Sequence, residues 1–434
     1  MYRKIIHYLE TWKESVHRKP LILQGARQVG KTYSILEFGR KHYDNVAYFN
    51  FETNPKLNET FEEDISPVYL IPILSHIAGQ TIVQEKTLIV FDEVQLCERA
   101  LTSLKYFCED APGYHVIVAG SLLGVAVSRE KFSFPVGKVD IKTLYPMDME
   151  EFMLALGEDA LVKQIKTSFQ TDTPLPSALH DAAMQLYRQY LVVGGMPECV
   201  LQFVGTKDYI LVRHTQDTIL TSYLNDMSKY NSLNGIKKTR LAYDNITVQL
   251  SKKKTRFQYK LIKKGGRASE FENAIEWLCL SGIVSQVYKV EQIKKPLENY
   301  RDIDAFKIYV SDLGLLAAKK DLIANDVLYM VKELDDFKGG MTENYVNVQL
   351  TIGGCKTYYW ESKRGAEVDF VIQREGKLIP IEVKSADNTR AKSLKVYIET
   401  YKPDYAIKLS TKNFGFQDGI KTVPLYAAFC IARH

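Results

Sequence analysis

Gly25, Gly30, Lys31 and Thr32 stand in the run LILQGARQVGKT (Leu21 to Thr32), where an apolar stretch leads into two glycines separated by four residues and then a Lys-Thr pair. Glycines let a loop curl so that successive backbone N–H groups point at phosphate oxygens, and the helix that follows adds the positive end of its dipole. In such a loop Gly25, Ala26, Arg27, Gln28, Val29 and Gly30 cradle the phosphates. Lys31 then reaches the β- and γ-phosphates and Thr32 ligates magnesium. ATP and Mg2+ are the ligands this pattern expects.

Two more places serve the same ligand. TLIVFDEVQ (Thr87 to Gln95) reads as a buried strand that delivers two carboxylates at the sheet edge where ligands bind. Asp92 would hold magnesium, directly or through water. Glu93 would polarise the attacking water, which must lose a proton as it adds to the γ-phosphate. HVIVAGSLLG (His115 to Gly124) is another buried strand and ends at Ser121, a small polar side chain placed to reach that water or the γ-phosphate.

A second candidate centre lies toward the C-terminus, in KTYYWESKRGAEVDFVIQ and KLIPIEVKS, two strands around Glu375-Gly376. Strand alternation puts Glu367 and Asp369 on one face and Val368, Phe370 and Ile372 on the other; Glu382 and Lys384 share a face opposite Ile381 and Val383. With a two-residue turn Arg374 pairs with Lys377, and Asp369 falls opposite Glu382, about 5 Å away between Cβ atoms, close enough for one divalent ion to bridge them. A three-residue turn with a bulge slips the register by one and separates the pair, and Pro380 is a bulge or edge signal that keeps this alternative open.

The elements that must hold these residues follow from periodicity. Ile5, Leu9 and Trp12 recur at helical spacing, the phosphate loop is followed by a helix-compatible run, and NVAYFNFE (Asn45 to Glu52) precedes the Asp92 strand. Strands alternating with helices of this length predict a parallel sheet covered on both faces. From Glu150 to about Tyr230 the pattern is helical. Within it YLVVGGMPE places Gly194, Gly195 and Pro197 between two helical stretches, as a break in the helix would.

Ser251 to Arg267 holds eight Lys or Arg, no acid, and the aromatics Phe257 and Tyr259. Ser269 and Glu272 then form a capping box, with Phe271, Ala274, Ile275 and Leu278 on one helical face. Strand-like Ile283 to Val290 and Phe306 to Val310 follow. Helices before a two-strand ribbon predict a winged helix, and its basic entrance suits DNA through phosphate contacts, which carry no base sequence. The other reading is a protein-docking unit with a solvated charged face.

Bulk properties bound the rest. A chain of 434 residues exceeds one ordinary core, and 46% hydrophobic with 25% charged residues is a globular composition. Net charge is a mild +5. The cysteines at 97, 108, 199, 279, 355 and 430 have no zinc-type or disulfide-type spacing and predict reduced thiols in a cytoplasmic protein. No run approaches a membrane span, and the N-terminal residues lack a signal peptide's apolar core.

GARQVGKT, FDEVQ, AGSLLG and FPVGKVDIKTLYPMDMEEF together resemble prokaryotic AAA+ and signal-transduction ATPases fused to a C-terminal domain of unknown function, over nearly the whole chain. The resemblance implies that Lys31 and Thr32 are Walker A contacts, Asp92 and Glu93 the Walker B pair, and Ser121 the sensor. It makes 151–235 a lid over the nucleotide and sets Gly195-Met196-Pro197 near the base, a reading that stands beside the helix break; it places no arginine finger, and Arg129 and Lys138 are the basic residues that follow the sensor strand. The acid followed by Glu-x-Lys, with Glu343 on a preceding helix, resembles the PD-(D/E)xK nucleases, although Val368 stands where the motif name has Pro. That likeness implies Asp369, Glu382 and Glu343 as ligands of a second Mg2+ or Mn2+, with Lys384 orienting or deprotonating water.

The expected architecture is therefore α/β: a P-loop core (1–150), a helical lid (151–235), a winged helix (236–318) and an α+β restriction-endonuclease-like domain (319–434). The expected activity is a magnesium-dependent ATPase coupled to a DNA-binding, DNA-cleaving half. The alternative is an ATP-gated switch whose C-terminal domain binds a protein partner and cuts nothing.

Overall fold

The computed structural model describes residues 1–121, 134–230, 233–250, 256–385 and 392–431. Two compact units divide the chain: one is Tyr2–Tyr145 with Leu280–Gly282, the other Pro146–Cys279 and Ile283–His434 with Met1.

In the first unit, helix α1 (Lys4–Glu14) precedes β1 (Leu21–Gly25), α2 (Lys31–His42), β2 (Asn45–Asn50), α3 (Leu57–Glu63), α4 (Pro67–Ala78), β3 (Thr87–Asp92), α5 (Glu98–Asp110), β4 (His115–Ser121) and β5 (Asp140–Thr143). All pairings in the sheet are parallel, in the order β2-β3-β4-β1-β5. Parallel strands covered on both faces read as continuous apolar runs, and β3 is buried at every position. Phe49, Phe51, Phe61 and Phe91 meet in the core on one face. The order has a functional consequence. Strand β4 lies between β1 and β3, so Ser121 emerges between the phosphate loop and Asp92.

The second unit opens with helices α6 (Met149–Ala155), α7 (Asp159–Thr171), α8 (Ser177–Val193), α9 (Pro197–Thr206), α10 (Tyr209–Tyr230), α11 (Leu233–Leu250) and α12 (Ala268–Leu280). Strands β6 (Val284–Val290) and β7 (Arg301–Val310), helices α13 (Leu313–Lys319), α14 (Ala324–Leu328) and α15 (Asp335–Ile352), and strands β8 (Thr357–Glu361), β9 (Glu367–Arg374) and β10 (Lys377–Val383) follow. Helix α16 (Lys392–Tyr401) and strands β11 (Ala406–Ser410), β12 (Gly415–Gln417) and β13 (Ile420–Pro424) complete it. The sheet is mixed and eight-stranded, in the order β12-β13-β11-β10-β9-β8-β6-β7.

This topology corrects the winged-helix expectation. Strands β6 and β7 do form an antiparallel ribbon, but β6 also pairs with β8, Tyr288 to Val290 against Tyr358 to Trp360. The ribbon that sequence assigns to 236–318 is thus the edge of the same sheet that sequence assigns to 319–434. A free wing leaves one edge of its inner strand open; here both edges of β6 are paired, and Val284, Val287 and Val290 are buried.

The β9-β10 hairpin settles its register. Glu375 (φ 48°) and Gly376 (φ 73°) are both left-handed, the signature of a two-residue primed turn. Arg374 pairs with Lys377 and Phe370 with Ile381, and Asp369 and Glu382 are the next positions beyond that register. Pro380 is accommodated because β11 pairs with β10 only from Ile381 onward, leaving no partner in want of its missing N–H. Between β8 and β9 the register shifts: Tyr358 opposes Val371 but Trp360 opposes Val368. Two residues, Asp369 and Phe370, therefore face Tyr359 alone, a bulge that re-aims Asp369. The simple alternation expected for Val368, Phe370 and Ile372 breaks here. Val368 and Val371 share the cluster under Leu394 and Tyr397 of α16, while Phe370 packs on Tyr309.

The six cysteines are free thiols. Among the described residues no helix is long and apolar enough to cross a membrane.

Candidate functional sites

The phosphate loop joins β1 to α2 with Gly30 left-handed (φ 87°) at the helix N-cap, a conformation that favours glycine, and Gln28 also at positive φ (63°). Gly25 is required for a different reason: a Cβ there would collide with the carbonyl oxygen of Leu144. Lys31 folds over the loop, its Nζ donating to the carbonyls of Ala26 (2.9 Å) and Gly25 (3.1 Å). Burial pushes its ammonium down to about 8, against the pull of Glu93 and Asp92.

Asp92 is buried and its oxygens are shared. Oδ2 accepts from Thr32 Oγ1 and from the Tyr48 hydroxyl, both at 2.8 Å, and Oδ1 accepts from the Glu93 N–H at 3.0 Å. Burial, with the Asp92 charge and against a hydrogen bond from Asn50, pushes the Tyr48 phenol up to about 12, so it stays a donor. Glu93 sits at φ 53° just past the strand, its Oε2 accepting from Gln95 Nε2 at 2.5 Å. Ser121 is in register with Gly25 on the neighbouring strand. Thr32 and Asp92 converge as hard oxygen donors, a set that fits magnesium, and Gly30 and the opening N–H groups of α2 fit a phosphate chain.

Sequence reasoning missed Arg3. Its guanidinium donates to the carbonyls of Val29 (2.9 Å) and Tyr145 (2.8 Å), bracing the phosphate loop from the residue that caps α1. A lone N-terminal arginine carries no pattern that marks it. Of the finger candidates, Lys138 is paired with Glu109 at 2.8 Å, and Arg129 lies outside the described residues.

In the second unit, Gly194 and Gly195 have a packing role. Asp312 caps α13 by accepting from Leu315 N (2.8 Å) and also accepts from Gly195 N (2.7 Å). A Cβ on Gly194 would collide with Asp312, and one on Gly195 with the Met147 carbonyl. Burial raises Asp312 to about 6 in spite of those backbone donors. Pro197 opens α9 in its first turn.

The C-terminal candidates line one cleft of about 1060 Å³, together with Arg256, Lys260 and Arg267 from the basic run. Residues 251–255 of that run lie outside the described residues. The rest is anchored on the sheet edge: the Arg256 backbone forms an antiparallel β-bridge with that of Lys307, Phe257 N donates to Phe306 O at 2.8 Å, and the Phe257 and Phe306 rings stack. Asp369 Oδ2 accepts from Val383 N at 2.7 Å, and Lys384 Nζ bonds Glu382 Oε1 at 2.5 Å. Glu382 Oε2 is buried with no partner. Burial, then Glu343 and Glu382, raise the Asp369 carboxyl well above the usual range against Lys307 and Lys384, and burial also raises Glu382 against Lys384. Two crowded carboxylates and an orphaned oxygen fit a divalent cation.

Glu343, the third expected ligand, lines the same cleft. Its Oε2 accepts from the Tyr309 hydroxyl (2.9 Å) and from Lys307 Nζ (3.3 Å), and Lys307 also pairs with Glu367 at 2.5 Å. Among the described residues no group of three His, Cys, Asp or Glu side chains is arranged to hold an ion. Lys307 was missed by sequence reasoning, yet a lone cation inside the apolar run FKIYV was a visible signal.

Residues 17–153 match the family described as AAA domain, residues 184–326 a domain of unknown function (DUF8612) and residues 338–428 another (DUF4143). The chain thus carries an AAA-type P-loop ATPase domain followed by two domains without assigned function. No curated protein matches the sequence. Among solved structures, a Walker-type ATPase of Pyrococcus abyssi is similar at 12% identity and a TM-score of 0.45, over 73% of this chain and 94% of that one. The Aeropyrum pernix ORC1 protein in complex with DNA is similar at 12% identity and a TM-score of 0.30, over 74% of this chain and 91% of that one.

Proposed function

We propose that this protein is a magnesium-dependent ATPase whose nucleotide state governs a DNA-binding and DNA-cleaving C-terminal half. The observation that carries the ATPase reading is the hydrogen bond between Thr32 of the phosphate loop and Asp92 of the buried strand, within reach of Glu93. Lys31 leaves the carbonyls of Gly25 and Ala26 for the β- and γ-phosphates. Thr32 and Asp92 would hold magnesium, which would neutralise charge on the phosphates. Glu93 takes the proton of the attacking water, and Ser121 donates to that water or to the γ-phosphate. Pro197, at the start of α9, would lie near the base of the nucleotide.

For the C-terminal half, the supporting observation is one cleft that holds Asp369, Glu382 and Lys384 beside Arg256, Lys260 and Arg267. Acids that bind a cation next to fixed positive charge suit a phosphodiester backbone. Asp369 and Glu382 would hold the ion, and Lys384 would orient or deprotonate the water. Cleavage of plasmid and single-stranded DNA in Mg2+ or Mn2+, lost in Glu382→Gln, tests the proposal.

One observation favours the second reading, an ATP-gated switch that binds a protein partner without cutting. Glu382 already holds Lys384 and Asp369 already holds the Val383 N–H, so the centre is internally satisfied on two of its oxygens. ATP turnover without any cutting would select it.

A further inference from the structure

Lys307 is a lysine buried to 1% side-chain exposure in the wall of the acidic centre. It touches Glu343 at 3.3 Å and Glu367 at 2.5 Å, and stands over the Tyr359 ring at 5.1 Å from its centroid. A buried ammonium persists only where paired charges and hydrogen bonds compensate its lost hydration. We infer that Lys307 is a built-in second cation: it takes Glu343 out of the ligand set, so the centre binds one divalent ion, on Asp369 and Glu382, where the motif suggests three carboxylate ligands. The inference rests on the metal-binding reading of this centre.

Three observations converge on it. The Oε2 atom of Glu343 is doubly engaged, by Lys307 and by Tyr309, both on β7 and two residues apart on one face of that strand. Lys307 pairs with Glu343 and Glu367 on one side of the centre, and Lys384 pairs with Glu382 on the other. Magnesium commonly uses one or two protein carboxylates and keeps waters for the rest of its shell, so Asp369 and Glu382 suffice. The orphaned Oε2 of Glu382 is the oxygen such an ion would satisfy. Lys307 is a positioning residue, too buried to touch substrate.

The test is Mn2+ binding to the full chain without nucleotide, followed by the loss of the free-ion EPR signal. Ions are counted as the difference from Glu382→Gln. Wild type should bind one ion at this centre, and Glu382→Gln should weaken that ion at least tenfold. Glu343→Gln should leave its affinity within twofold, and Lys307→Met should admit a second ion. A loss in Glu343→Gln equal to that in Glu382→Gln, an unchanged single ion in Lys307→Met, or no ion in wild type overturns the inference. If Lys307→Met does not fold, Glu343→Gln decides alone. Ion binding as described with no DNA cut would remove the nuclease reading and leave the role of Lys307 standing.

Discussion

Thr32 and Asp92 are sixty residues apart in sequence and share a hydrogen bond of 2.8 Å. The parallel sheet makes this contact possible. Strands β1 and β3 end on the same side with β4 between them, so the loop that follows one strand meets the carboxylate that ends the other.

If Glu93 is the group that takes the water's proton, Glu93→Gln should keep ATP affinity and lower turnover about 100-fold or more. Isothermal titration with ATP and a phosphate-release assay separate the two. Equal loss of binding and turnover would assign Glu93 a structural role through its contact with Gln95.

Arg3→Ala should strand the carbonyls of Val29 and Tyr145, at a cost of about 1–3 kcal/mol for each buried group left unsatisfied. The expected outcome is a lower melting temperature together with weaker ATP binding, because Val29 belongs to the phosphate loop. Arg3→Lys, which cannot reach both carbonyls with one fork, should recover only part of each. Full ATP affinity in Arg3→Ala would limit the residue to stability.

His115 gives the first unit an acid-sensitive joint. Its Nδ1 shares a hydrogen bond of 2.7 Å with the Tyr43 hydroxyl, and its edge packs against Trp12. Burial, with Arg18 and Lys13 nearby, lowers its pKa from 6.5 to about 4. A depressed histidine favours folding above its unfolded value and loses that contribution as pH falls through the folded value. Stability should therefore drop between pH 6.5 and 4, by no more than about 3 kcal/mol from this group. Urea unfolding followed by tryptophan fluorescence should show a shallower acid-side loss in His115→Phe.

Much of this was legible in the residues and some was not. The phosphate loop and the Asp92-Glu93 strand are local patterns; the turn at Glu375-Gly376 was legible as a turn, while its two-residue form and register were left open by Pro380 and come from the structure. The pairing of β6 with β8 joins segments some seventy residues apart, and no local signal announces a parallel neighbour. That is why a ribbon read as a wing became part of a larger sheet. Arg3 and Lys307 act through long-range partners, and neither belongs to a motif. The glycines before Pro197 read as a helix break, while the carbonyl and carboxylate they pack against, Met147 and Asp312, lie far from them in sequence and carry no local signal.

Gly195→Ala should destabilise the second unit by about 2–3 kcal/mol, the scale of overpacking a filled site, because its Cβ would meet the Met147 carbonyl. Denaturant unfolding of the full chain measures it. A neutral substitution would mean that the close approach of Gly195 to Met147 does not constrain this part of the unit.

The most direct test of the account is metal-dependent cleavage of plasmid and single-stranded DNA, with and without ATP, in wild type, Lys31→Ala and Glu382→Gln. Wild type should cut in a way that responds to ATP, Lys31→Ala should cut without an ATP response, and Glu382→Gln should not cut. Cutting that survives Glu382→Gln, or no cutting by wild type in either metal while ATP is turned over, would contradict it.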